Sequence, residues 1–199
     1  MAASARRSRR SSALVLLAVL LGVALCAAAA MYVFNPTGTA SGDLRARIFG
    51  YATYRIPSTS MLPTLQFGDM ILVSSWSYAR HPPQRGDVIV YFPPHSPGVP
   101  WVSRVAGVPG DVVAIRDGVL SVNDTLVREP YLEPAALTRP ESITFEQTTV
   151  PADGLFMLGD NRDQSEDSRF WGFASTQAVV GRVNAIWYAR DSSRVGHVR

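Results

Sequence analysis

Lysine is missing from this chain: all 19 basic residues among its 199 are arginine, set against 16 acidic ones. Without an ε-amine there is no Schiff-base chemistry, no Walker-type phosphate lysine and no lysine general base. Cysteine is nearly absent too. Cys26 stands alone, which excludes an intramolecular disulfide, and His81, His95 and His197 lie too far apart for the ligand spacings of a structural zinc. No metal, nucleotide or organic cofactor is called for. Internal repeats are lacking, and after residue 35 no segment sustains an amphipathic helix, although Ser175 to Val180 has the composition of a short turn.

The formal charge of +3 is unevenly held. Arg6, Arg7, Arg9 and Arg10 fall within the first twelve residues, and setting them aside leaves 15 arginines against 16 acids. The body is therefore slightly acidic, without the clustered cations that a nucleic-acid surface needs.

What is present begins with a long apolar run. Ala13 to Phe34, ALVLLAVLLGVALCAAAAMYVF, carries no charge over 22 residues, enough at about 1.5 Å per residue to cross a hydrocarbon core of roughly 30 Å. Residues 1–12 then read as a basic cytoplasmic tail, 13–34 as a single-pass anchor in the cell's inner membrane, and the remainder as extracytoplasmic. A cleaved signal peptide is the rival, since the alanines at 27–30 offer a processing site. The apolar run continues past that site to Phe34, which favours the anchor. Bulky Leu25 before Cys26 speaks against lipoprotein processing.

Residues 35–54, rich in Gly, Pro, Thr and Ser at their start, read as a linker. From there the pattern has the short β period: Met70 to Ser75, Asp87 to Phe92, Trp101 to Val105, Val112 to Ile115, Val119 to Val122, Leu155 to Leu158 and Val179 to Ala189. The hairpin signal is strongest in VVAIRDGVLSVN, where Asp117-Gly118 suits a primed turn. The stretch GDNRDQSEDSR is dense in carboxylates, but Arg162 interrupts it and no central Gly appears, so it is a poor calcium loop. As a rigid scaffold it would pair Asp167 with Arg169 and hold the Ser165 hydroxyl; as a solvated loop it would do neither.

Four blocks together carry a resemblance. Pro57-Ser58-Thr59-Ser60-Met61-Leu62-Pro63-Thr64-Leu65 followed by Gly68-Asp69 resembles the nucleophile motif of type I signal peptidases, the membrane-bound serine proteases that remove signal peptides. Arg85-Gly86-Asp87-Val88-Ile89-Val90, Ser103-Arg104-Val105-Ala106-Gly107-Val108-Pro109-Gly110-Asp111, and Gly159-Asp160-Asn161-Arg162-Asp163 with Ser165, Asp167, Ser168 and Arg169 resemble its other signatures in the same order. The resemblance implies a mostly β fold of two packed antiparallel sheets at 55–199, with an insertion at about 112–154, behind one transmembrane helix. It implies Ser60 as nucleophile, the Ser60 N–H and the Ser58 hydroxyl as oxyanion donors, and Ser165, Asp167, Arg169, Asp160 and Arg162 as supporting residues. Its implied partners are membrane lipid and the signal peptides of exported preproteins, with small residues at −1 and −3; oligomeric state stays open. An extended peptide would pair with strand edges near Ile56 to Ser60 and Trp101 to Ser103. Tyr51, Tyr54, Trp76 and Tyr78 have two readings, as rings at the bilayer surface or as packing residues.

One position departs. Where bacterial members of the family have a lysine base this chain has Ser103, whose hydroxyl has no useful basicity near neutral pH. Three accounts follow: a weakened protease in which Ser103 and Ser165 hold a water, with Asp167 or a histidine such as His95 as the final base; a non-catalytic protein that binds secreted or assembling segments; and a disabled copy. An arginine-favouring coding bias accounts for the loss of every lysine at once.

Overall fold

The structure, a computed structural model, describes the backbone of residues 2–132 and 137–198 and the side chains from residue 13 onward. The arginine cluster at 6, 7, 9 and 10 lies outside the described side chains. Helix α1 (Ala2–Phe34) contains the apolar run, which is not buried against the rest of the protein and is long and apolar enough to cross a membrane. It stops at Asn35, whose positive φ of 44° is one that asparagine tolerates.

Residues 35–54 are not a loose linker. Thr37, Thr39 and Ser41 are buried, and the Thr39 hydroxyl donates to the Val180 carbonyl at 2.8 Å. Helix α2 (Leu44–Phe49) follows, its first turn capped by Asp43, which accepts from the Arg45 N–H at 2.7 Å. Arg47 donates to the carbonyl of Tyr32 and lies over its ring, fastening α2 to the end of α1. Tyr51–Arg55 is already strand β1, paired along its length with β2 (Met70–Ser74).

Beyond these come β3 (Val88–Tyr91), β4 (Trp101–Gly107), β5 (Val112–Arg116), β6 (Val119–Val122), β7 (Thr125–Leu126), helix α3 (Pro140–Ile143), β8 (Phe145–Thr149), β9 (Gly154–Leu158), helix α4 (Ser168–Trp171), β10 (Ala174–Ser175), β11 (Val179–Tyr188) and β12 (Gly196–His197). The larger sheet is antiparallel with order β1-β2-β11-β3-β4-β9-β10, and β12 flanks the second half of β11. The smaller sheet, β7-β6-β5-β8, occupies Val112 to Thr149. The fold is thus mostly β, two antiparallel sheets behind an apolar helix, as the sequence implies. Asp117 and Gly118 both take positive φ, 50° and 76°, which matches the twist of the β5–β6 hairpin.

Alternation along the strands divides the core. Phe156, Val113 and Leu120 pack with the smaller sheet, while Ile71, Val73, Val88, Val90 and Val183 form a second cluster that takes in Met61 and Leu65. Those last two side chains are wholly buried, and at roughly 1.5–3 kcal/mol each they nail the loop after β1 onto the large sheet. That loop carries the serines of the candidate site.

Candidate active site

Strand β1 ends against its own loop: the Ile56 N–H donates to Asp69 and the Gly68 N–H to the Ile56 carbonyl, both at 2.8 Å. Asp69 is held in turn by Arg194 at 2.8 Å. Between these ties the chain rises through Pro57 to Ser60 and returns through buried Met61. Ser58 and Ser60 share a hydrogen bond between their hydroxyls at 3.1 Å. The Ser60 carbonyl accepts from the Asn161 N–H at 2.9 Å, and the Asn161 amide donates to the Thr59 carbonyl at 3.1 Å. Among the described residues the Ser60 N–H has no hydrogen-bond acceptor.

Gly159 allows this approach. A Cβ there would fall 2.2 Å from Ser165 Oγ and 2.7 Å from the Ser60 carbonyl oxygen, so the two loops meet across a position that only glycine can occupy. Asp167, fully buried, accepts from the Gly159 N–H at 2.9 Å and pairs with Arg169 through both carboxylate oxygens, at 2.7 and 2.9 Å. Arg169 also donates to Ser142 Oγ and to the Arg162 carbonyl. Asp160 receives Arg104 in a two-pronged pair at 2.8 and 2.7 Å together with the Thr64 hydroxyl. Arg162, wholly buried, donates to the Gly159 carbonyl and to Glu129.

Ser58, Ser60, Ser103 and Ser165 line one cleft of about 470 Å³, walled by Tyr54, Ile56 and Pro57 on one side and by Val99 to Val102 on the other. Residues Trp101–Ser103 extend beyond the stretch of β4 that β9 pairs with, which begins at Arg104. Their outer backbone edge is open to an extended chain.

Ser103 is buried and shares a hydrogen bond with the Tyr91 hydroxyl at 3.3 Å. Burial pushes the Tyr91 phenol well above its ordinary range, the Asp167 charge adds to this, and the bond to Ser103 opposes it. The phenol therefore stays protonated and is no base. Asp167 has both oxygens committed to Arg169 and Gly159. His95 is exposed, its ring edge-on to Trp101 at 4.9 Å and 5.4 Å from Trp171. Neither residue is among those that line the cleft.

The structure brings Ser58, Ser60, Ser103 and Ser165 together in the cleft, and puts Asp160, Arg162, Asp167 and Arg169 behind them as scaffold. Tyr91, Asn161, Thr64 and Glu129 are additions. No sequence motif marks Tyr91; it meets Ser103 because it shares a face of β3 with Ile89, the register partner of Ser103. The four aromatics flanking the loop separate: Tyr51 and Trp76 are exposed, Tyr54 lines the cleft, and Tyr78 donates to Asp87 at 2.8 Å.

A model of the family described as signal peptidase, peptidase S26, matches residues 13–188. The signal peptidase I of Leptolyngbya laminosa is 37% identical over 161 residues, 77% of this chain and 77% of that protein. That of Pseudomonas fluorescens is 35% identical over 198 residues, 76% of this chain and 70% of its own length. A crystal structure of a signal peptidase I from Enterococcus faecalis is 32% identical and covers 51% of this chain and 97% of its own, with a TM-score of 0.45.

Proposed function

Because the chain belongs to the signal peptidase, peptidase S26 family, we propose that it is a membrane-anchored serine endopeptidase that removes N-terminal signal peptides from exported preproteins, with Ser60 as nucleophile. The observation that carries this is the pair of hydroxyls at Ser58 and Ser60, 3.1 Å apart in a cleft with an open strand edge. The peptide lies extended between the Ile56–Ser60 side and Trp101–Ser103, and small side chains enter its apolar floor. α1 spans the inner membrane with its N-terminus cytoplasmic, so the β domain meets preproteins on the outer side.

Ser60 Oγ attacks the scissile carbonyl carbon and gives its proton to water in the cleft. The tetrahedral oxyanion accepts from the Ser60 N–H and the Ser58 hydroxyl. Collapse breaks the C–N bond, the leaving nitrogen takes a proton from water, and the new amino terminus departs. A second water hydrolyses the Ser60 ester, and its proton returns to the Ser60 oxygen. Ser103 and Ser165 position water but remove no proton at neutral pH, so turnover is slower by on the order of 10²- to 10⁴-fold than with a positioned base.

A capture protein that binds such segments without cutting them is the second reading, favoured by the neutral hydroxyl at Ser103. Full-length protein in detergent with a fluorogenic signal-peptide substrate decides between them. Slow cleavage that vanishes in Ser60→Ala is expected. Binding with no cleavage by the native chain selects the capture reading.

A further inference from the structure

None of the residues that line the cleft belongs to the smaller sheet, yet two side chains just beyond β7 reach the scaffold behind it. Glu129 accepts from Arg162, and the same carboxylate oxygen accepts from the Tyr131 hydroxyl at 2.7 Å. The Arg104 guanidinium, which grips Asp160, lies over the Tyr131 ring at 4.3 Å. One oxygen therefore joins the two arginine ties of the scaffold. Both side chains of the Glu129–Arg162 pair are buried. Burial and the Glu129 charge push the Tyr131 phenol well above its ordinary range, so it stays a donor. Arg162 carries the tie onward to the site. Its Nε donates to the Gly159 carbonyl at 3.2 Å and its Nη2 to Glu129, while Nη1 has no hydrogen-bond partner among the described residues. Gly159 is the position that meets both Ser165 and the Ser60 carbonyl, and the Asn161 N–H donates to that same carbonyl. A guanidinium released by Glu129 is free to turn, and the Gly159 carbonyl then loses its fixed donor.

We propose that Glu129 is a positioning residue for the reaction at Ser60: it holds Arg162, Arg162 holds the Gly159 carbonyl, and Gly159 sets the Ser60 loop against Ser165. The inference rests on the reading of Ser60 as nucleophile. Glu129 lies outside the cleft lining and acts through Arg162 alone. Its removal is expected to lower kcat about tenfold with KM little changed, since an ångström of misplacement at the reacting atoms costs up to roughly 10²-fold. Glutamine at this position keeps an oxygen that accepts from Arg162 and Tyr131 but lacks the charge, so its effect is smaller.

The test uses full-length protein in a nonionic detergent and two readouts. Hydrogen exchange followed by mass spectrometry reports on the Gly159 and Asn161 amides, and cleavage of a fluorogenic signal-peptide substrate gives kcat and KM. In Glu129→Ala, exchange over residues 159–161 is expected to quicken about tenfold while the β5–β6 hairpin keeps its native rate, and kcat to fall with KM held. Glu129→Gln lies between this variant and the native chain on both readouts. Glu146→Gln, an exposed acid on the smaller sheet, changes neither. A buried guanidinium without its partner is strongly destabilising; should Glu129→Ala not fold, Tyr131→Phe removes one hydroxyl from the network and gives a smaller effect of the same kind. Exchange quickened throughout the domain, with kcat per folded molecule unchanged, makes Glu129 a purely structural residue and overturns the proposal. Native exchange at 159–161 overturns it as well. If the unsubstituted chain does not cleave, the peptidase reading falls, and exchange at Gly159 and Asn161 alone decides whether Glu129 holds the loop.

Discussion

At Ser103 a short, buried hydroxyl, tied to a protonated phenol, lies in the wall of the cleft that Ser60 also lines. A lysine there would share its face of the sheet with Ile89, Tyr91 and Val105, where loss of its proton is favoured by desolvation. Ser103→Lys is accordingly expected to raise kcat/KM on a signal-peptide substrate by about 10²- to 10⁴-fold. Ser103→Arg provides the control, since a guanidinium of similar reach keeps its proton and gives no gain. A folded lysine variant no faster than the native chain would show that the cleft does not direct an amine at Ser60. Single residues were legible in sequence where a motif marks them, as with Ser58, Ser60, Ser103 and Ser165. Tyr91 was not, because its meeting with Ser103 depends on the pairing of β3 with β4 and on the reach of one ring.

The element that holds the site is the loop from Gly159 to Arg169, and it reaches across to the segment before α3. Asp163 accepts from the Thr138 N–H at 2.8 Å, the Thr138 hydroxyl at 2.7 Å and the Arg139 N–H. Partial burial raises its pKa, but hydrogen bonds from Ser142, Thr138 and the two backbone donors outweigh this and lower it from 3.8 to about 2. A carboxyl that protonates less readily folded than unfolded stabilises the fold above its unfolded value and loses that contribution as the pH falls through the folded one. Thermal unfolding of the detergent-solubilised chain should therefore weaken between pH 4 and 2, and Asp163→Asn should lower the midpoint at pH 6 while flattening this decline. Equal slopes for the two proteins would mean that the tie contributes nothing. Elements were legible where hydrophobic alternation was strong, as in β2 to β6. β1 was hidden by the turn-rich residues before it, and β8, FEQTT, by a mostly exposed face. The helices α2, α3 and α4, at six, four and four residues, are too short to show a period.

Across the whole molecule the restriction to arginine has opposite consequences in scaffold and chemistry. Arg104, Arg162, Arg169 and Arg194 each meet a carboxylate and backbone or hydroxyl oxygens at once, a task suited to a planar fork with several donors. The same guanidinium cannot surrender a proton at any working pH, so the composition that reinforces the site also removes every amine base from it. Acetylation by an amine-directed reagent then has only the α-amino group to modify. Slow cleavage by this chain is expected to survive exhaustive acetylation, with mass spectrometry confirming a single adduct, whereas the Ser103→Lys variant treated in the same way should fall back to the native rate. Loss of activity in the native chain on acetylation would trace the proton acceptor to that terminal amine and remove water from the role. Retained rate in the acetylated lysine variant, with the adduct at residue 103 verified, would show that the gain came from packing and not from base catalysis.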